Sequence, residues 1–250
     1  SGPTVFNTAG SCAIISNYNR HSGGDPYNNF DFNINSNYIP STAGYVTFQG
    51  TVSDDQLDDN QWHHIAGVYD HDNGVSYLFI DGVANDTNET SGDYLSSYNK
   101  IYINNTGLIA AVYSMDCDIA GVRITDGVRY SSNFSPSFPL ASEANSIIAL
   151  DFSTGDGTTL ADLSGNENNF SLYDAASWST DVPEETTTAT NTHSLSFDGV
   201  DDYVVFDNSV IPSTGDVTVQ VWGYIDEYTN SGNGYANLLT QGTGANAYFI

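Results

Sequence analysis

Residues 61–70 read QWHHIAGVYD, and after HDNG (71–74) a second apolar run follows, VSYLFIDG (75–82). Both runs are rich in β-branched and aromatic residues and are bounded by polar turn residues, so both read as strands. Trp62, His63, His64 and Asp70 together suggest a metal or catalytic site. A zinc pair needs its histidines on one face, with a third ligand beside them. Successive side chains of a strand point to opposite faces, so His63 and His64 cannot easily share an ion. The stretch therefore reads as architecture. In the second run Tyr77, Phe79 and Asp81 face one way, and Leu78 and Ile80 face the other.

The same grammar runs through the chain. Candidate strands lie at 11–16, 29–34, 45–51, 63–70, 76–82, 100–105 and 118–125. More follow at 146–153, 193–199, 202–207, 217–225, 236–242 and 247–250. No stretch of useful length carries a helical period. Many short strands separated by Gly, Asn, Asp and Ser clusters make an all-β sandwich or jelly roll. In VTVQVWGYI (217–225), Val217, Val219, Val221 and Gly223 share one face. Thr218, Gln220, Trp222 and Tyr224 share the other, which reads as the polar or aromatic side. Residues 173–192 lack apolar periodicity and read as a long polar loop.

Composition narrows the function. Of 250 residues, 31 are acidic and 4 are Lys or Arg, a formal charge of −27. Nucleic acid and anionic membranes need a basic face, so neither is expected as a partner. The acids are mostly Asp, common in turns and calcium loops. No apolar run is long enough to span a bilayer, and the start shows no signal peptide. Cys12 and Cys117 read either as two buried thiols or as one disulfide closing a long loop. The Asn/Ser/Thr/Asp-rich composition suits an extracellular setting.

QWHHIAGVYD followed by YLFIDGV resembles the laminin-G-like, concanavalin-A-like jelly-roll family. In that family a polar turn leads into Trp-His-His, an apolar strand and a second strand ending in Asp-Gly. DIAGVRITDGVRYSSNFSP (118–136) looks like the family's closing strand and exit. SIIALDFSTGDGTTLADLSGNENNFSLY (146–173) looks like its opening strand and Asn/Gly loop. HSLSFDGVDDYVVF (193–206) and VTVQVWGYI look like its next strands. The closing half thus precedes the opening half. Residues 1–142 read as the rear of one jelly roll, and 143–250 as the front of a second. The halves can belong to tandem domains, fold together as one permuted sandwich, or be exchanged between subunits, which would satisfy exposed strand edges.

Candidate ligands lie in the acidic loops. In ADLSGNENN, Asp162, Ser164, Asn166 and Asn168 place oxygens at every second residue around a Gly, which suits calcium or an Asx-rich turn. The resemblance favours calcium near this loop. Asp198, Asp201 and Asp202 in FDGVDDYV offer a second set, and Asp116 and Asp118 a third. Trp222 and Tyr224 are candidates for stacking on sugars. The chain has six Glu, none in a strand pattern that would flank a glycosidic bond, and no nucleophile elbow or phosphate loop. N-x-S/T sequons at Asn85, Asn88, Asn104, Asn133 and Asn169 are frequent by composition alone.

The expectation is a non-catalytic surface module that recognises glycans or surface proteins, assisted by Ca2+, within a larger tandem-repeat protein. Its setting would be extracellular, on a cell or virion surface. The alternative is a structural subunit of a surface filament or virion appendage, joined to copies of itself by strand or half-domain exchange.

Overall fold

The computed structural model describes residues 11–16, 31–35, 45–49, 51–89, 101–104, 115–173, 176–184, 186, 190–208, 210–211, 215–227, 235–236 and 239–241. The expected strand at 247–250 lies outside them. The fold is all-β. Its strands are β1 (Ser11–Ser16), β2 (Asp31–Asn35), β3 (Tyr45–Phe48), β4 (Thr51–Val52), β5 (Trp62–Asp70) and β6 (Val75–Ile80). Next come β7 (Val83–Glu89), β8 (Ile101–Ile103), β9 (Asp116–Asp126), β10 (Ser146–Asp151), β11 (Thr159–Asp162) and β12 (Phe170–Tyr173). The last are β13 (Ser177–Ser179), β14 (Ser194–Asp198), β15 (Tyr203–Phe206), β16 (Val217–Glu227), β17 (Tyr235–Ala236) and β18 (Leu239–Gln241).

A five-stranded sheet runs β1-β2-β3-β4, with β17 also on β2. The larger strand path runs β7-β6-β5-β16-β9-β10-β11-β12-β15-β8-β18. It passes from one side of the sandwich to the other at β10: Ile148 and Ala149 pair with β9, whereas Leu150 and Asp151 pair with β11. One core fills the space between. Ile65, Tyr69, Leu78, Val219, Val221, Ile124 and Ile148 contribute from one side, and Leu160, Phe170 and Val204 from the other. Gly67 sits within this face because Phe48 occupies the space a side chain would need. A Cβ there would lie 2.5 Å from the Phe48 ring.

Strand β16, from the second half of the chain, lies between β5 and β9 of the first half. Val219 pairs with Gly67 on one edge and with Ile124 on the other. Residues 1–142 and 143–250 thus share one sheet within a single chain. Strands β7, β11, β12 and β13 are additional to the sequence reading. VANDTNE, TLAD and SWS are largely polar, and FSLY is only four residues long, so pairing rather than an apolar run makes them strands. Strand β13 also interrupts the expected loop at 173–192.

The outer face of β16 differs from expectation. Thr218 and Gln220 are fully buried and Trp222 is 9% exposed, so both faces of the strand are dry. A strap spanning 127–142 covers it. Phe138 and Leu140 of the strap pack on Trp222 and Ala120, and Val128, Tyr130 and Phe134 pack on Ala66, Val68 and Phe79. Gly82 O accepts from Phe134 N at 2.9 Å, and Ser137 O accepts from Trp222 Nε1 at 2.9 Å.

A buried polar network lies under the strap. Arg123 donates through Nε and Nη2 to Gln220 Oε1, at 2.9 and 2.7 Å. Arg123 Nη1 reaches Ala141 O at 2.6 Å and Glu143 Oε1 at 3.1 Å. Arg129 donates to the other oxygen of Glu143 and, through Nε, to the Tyr130 hydroxyl at 2.7 Å. Arg123 is 1% exposed and gives up its water only because every face of its guanidinium has an acceptor. Replacing Glu143 by Ala leaves two arginines short of their shared carboxylate. Chemical denaturation is expected to show a loss of about 2–3 kcal/mol, and a loss below about 0.5 kcal/mol would contradict this role.

Candidate functional site

The two histidines of the opening stretch part as strand geometry requires. His63 bridges two carboxylates, with Nδ1 2.8 Å from Asp81 Oδ2 and Nε2 3.0 Å from Asp59 Oδ1. Asp81 Oδ1 also accepts from His64 N at 2.8 Å. Partial burial works against protonation of His63, but the two aspartates outweigh it and raise its pKa. His64 faces the strap, buried between Phe134 and Trp222 at ring distances of 5.6 and 5.3 Å. Its Nε2 lies 3.1 Å from Gln220 Nε2. Because Gln220 Oε1 is held by Arg123, its amide donates, and His64 Nε2 accepts. Burial pulls the His64 pKa down to about 3, and Arg123 and Arg129 add to the effect against Asp81. The ring is a neutral structural element.

These shifts give the histidines opposite pH signatures. His63, raised in the folded chain, stabilises below its unfolded pKa, and this contribution is lost as pH rises through the folded value. The parent's advantage over His63→Gln is expected to be larger at pH 6 than at pH 8.5. His64, depressed to about 3, disfavours the fold once the unfolded chain takes up a proton below about 6.5. Between pH 6.5 and 5 this amounts to about 2 kcal/mol, which His64→Phe is expected to remove from the pH dependence. Urea unfolding across this range measures both.

The Asp162 loop forms a closed hydrogen-bonded turn. Asp162 Oδ1 accepts from Ala149 N and Ser164 N, both at 2.9 Å. Its Oδ2 accepts from Ser164 Oγ at 2.6 Å and Asn168 N at 3.0 Å. The Asn166 and Asn168 amides donate to Ile147 O, at 3.1 and 3.0 Å. The loop thus welds itself to β10, with the Asp162 oxygens already engaged.

Asp198, Asp201 and Asp202 converge more tightly. One oxygen from each lies within 4.8 Å of the others, with Asp202 buried and the other two exposed. Asp202 Oδ2 accepts from Asp198 N at 3.0 Å, and Asp198 Oδ1 accepts from Val200 N at 2.9 Å. Gly199, at φ +74°, lets this turn press on the start of β9. A Cβ there would sit 2.8 Å from Asp116 N.

Trp222 is not a stacking platform. Phe138 meets its ring edge-on at 5.9 Å, and the strap seals it. Tyr224 is instead joined by Trp62, a residue the sequence did not suggest for this role. They are register partners on β16 and β5, with ring centres 5.8 Å apart and planes tilted by 53°. Both are partly exposed. On the other side of Tyr224 its partner is Asp118 of β9, so Trp62, Tyr224 and Asp118 form one row across three strands. Asp181 approaches the end of the row, its Oδ1 3.5 Å from Trp62 Nε1. Burial and the charges of Asp181 and Asp226 raise the Asp118 pKa, against hydrogen bonds from Ser196 and Ser179. Asp116 pairs with Asp198, which sets the acidic turn at the same end of β9 as this row.

Cys117 is a free thiol buried in the core, 3.9 Å from Asn104 Oδ1, so the expected alternative of a Cys12–Cys117 disulfide is absent here. Burial and the surrounding aspartates push its pKa up. The Cys12 side chain lies outside the described residues. Asn104, one of the sequon residues, is fully buried and holds Met115 through both N and O, so it is no acceptor for a glycan in the folded chain.

A laminin-G family model, described as the concanavalin A-like lectin/glucanases superfamily, matches residues 3–133. No curated protein matches the chain, and no solved structure does.

Proposed function

Because the chain belongs to the concanavalin A-like lectin/glucanases superfamily, whose members commonly bind carbohydrates or proteins, we propose that it is a non-catalytic glycan- or partner-binding module. The observation that carries this reading is the row Trp62–Tyr224–Asp118. Two tilted rings offer apolar area to the C–H face of a sugar. The exposed carboxylates of Asp181 and Asp226 beside the row accept hydrogen bonds from the sugar's hydroxyls and impose orientation, while Asp118, 9% exposed, backs the row from within. The turn of Asp198, Asp201 and Asp202, at the same end of β9, supplies the oxygen chemistry a calcium ion takes. A bound ion there would neutralise part of a strongly acidic rim and stiffen the turn beside the row. An extracellular or surface setting, within a larger tandem-repeat adhesin, fits the acidic, Asn- and Thr-rich composition.

A second reading is favoured by the position of β16. The slot between β5 and β9 is filled by the second half of the chain. The β16 of a neighbouring copy presents the same residues to the same slot. Such exchange would make this a structural subunit of a surface filament or virion appendage.

Glycan-array screening with and without chelator separates the two. The first reading expects saturable binding that falls at least tenfold in Trp62→Ala and Tyr224→Ala, and a calcium dependence that Asp201→Asn removes. Binding untouched by either aromatic substitution would contradict the assigned surface. Long polymers of the isolated chain with no glycan bound would favour the second reading.

A further inference from the structure

Strand β9 is paired with β16 along nearly its whole length, but its other edge is divided. Strand β14 pairs with Asp116–Ile119, and β10 pairs with Arg123–Thr125. Between them the edge forks. Ala120 is also skipped in the register with β16, where Gly121 pairs with Trp222 and Ile119 with Gly223. A β-bulge therefore falls in the gap between the part of β9 paired with β14 and the part paired with β10, just beyond the point where β10 leaves for β11.

The fork opens a cavity of about 260 Å3. Ala120, Gly121, Leu140 and Leu163 are among the residues that line it. Asn191 borders it but is engaged, donating to Ala120 O at 3.0 Å and accepting from His193 N at 3.1 Å. Asp151 is the one ionisable residue in the lining. Its Oδ1 accepts from Ser153 N at 2.8 Å. Among the described residues, nothing hydrogen-bonds its second oxygen.

These features select the ligand. An unpaired carboxylate oxygen beside an aliphatic wall favours a cation carried on an apolar stem. Calcium takes 6–8 oxygens, and one carboxylate with a few hydroxyls falls short. The one aromatic residue in the lining, Phe152, is 2% exposed, so the cavity has no ring face for a sugar. The volume is below the usual range for drug-sized ligands and suits one side chain. Lysine combines a four-carbon stem that lies along apolar surface with a compact ammonium head. With a chain charge of −27, a cationic partner is also the one drawn in by the long-range field.

We propose that the cavity at the β9–β10–β14 fork receives a lysine side chain of a partner protein, its methylenes against Leu140 and Leu163 and its ammonium on Asp151. This pocket is separate from the Trp62–Tyr224 row, and its occupation does not depend on glycan binding.

Calorimetric titration of the full chain with Nα-acetyl-lysine methylamide tests it, with the norleucine analogue as the uncharged control and n-butylammonium as the bare amine. Saturable binding of the lysine derivative is expected. It should be at least tenfold weaker for the norleucine analogue and in Asp151→Asn, and about threefold weaker in Leu163→Ala. Asn at 151 keeps an acceptor for Ser153 N, and Leu163 is 53% exposed, so both variants should melt close to the parent. Equal binding of the norleucine analogue, an unchanged affinity in Asp151→Asn, or no saturable binding of the lysine derivative would overturn the proposal. Tighter binding of butylammonium than of the lysine derivative would overturn the assignment to a protein side chain.

Discussion

Gln220 is the node on which the rest of the sheet depends. Its carbonyl oxygen accepts from Arg123 on β9, and its amide donates to His64 on β5 and to Tyr130 on the strap. A glutamine with no exposed surface is costly unless each polar atom has a partner. Here the partners come from both flanking strands and the covering strap at once. The network also crosses the chain midpoint, since Gln220 and Glu143 come from the second half and His64, Arg123, Arg129 and Tyr130 from the first. Apolar burial alone would tolerate a slipped strand whose valines still faced the core. The fixed geometry of a guanidinium on an amide specifies one register.

This arrangement also explains where the few cations went. Arg123 and Arg129 are the only Lys or Arg among the described residues, and both converge on Glu143 beneath the strap. Histidines apart, the charge on the rest of the described surface is carboxylate. Near Asp118, Asp181 and Asp226 this concentrates negative charge beside two aromatic rings. Binding there is governed by local chemistry, while the net charge decides which partners approach.

The sandwich and most of its strands were legible in the sequence, because alternation and turn residues are local signals. The separation of His63 from His64 followed from strand geometry alone. The site was less legible for reasons that concern neighbours. Trp222 lies on the predicted outer face, yet the strap closes over it, and no periodicity in VTVQVWGYI announces a third layer. Trp62 joins Tyr224 only through a register between strands far apart in sequence. Asp162 has the spacing of a ligand, but its backbone partners are visible only once β10 and its loop are folded together. Asp198, Asp201 and Asp202 were readable as a cluster because a single tight turn brings them together.

Residues 1–142 and 143–250 complete one sheet around β16. Expressing the two segments separately and mixing them, with amide hydrogen exchange read at β16 and β5, tests this most directly. Neither segment alone is expected to protect those amides, and mixing is expected to restore protection and one cooperative unfolding transition. Cooperative folding of 143–250 by itself, with β16 protected in the absence of 1–142, would contradict it.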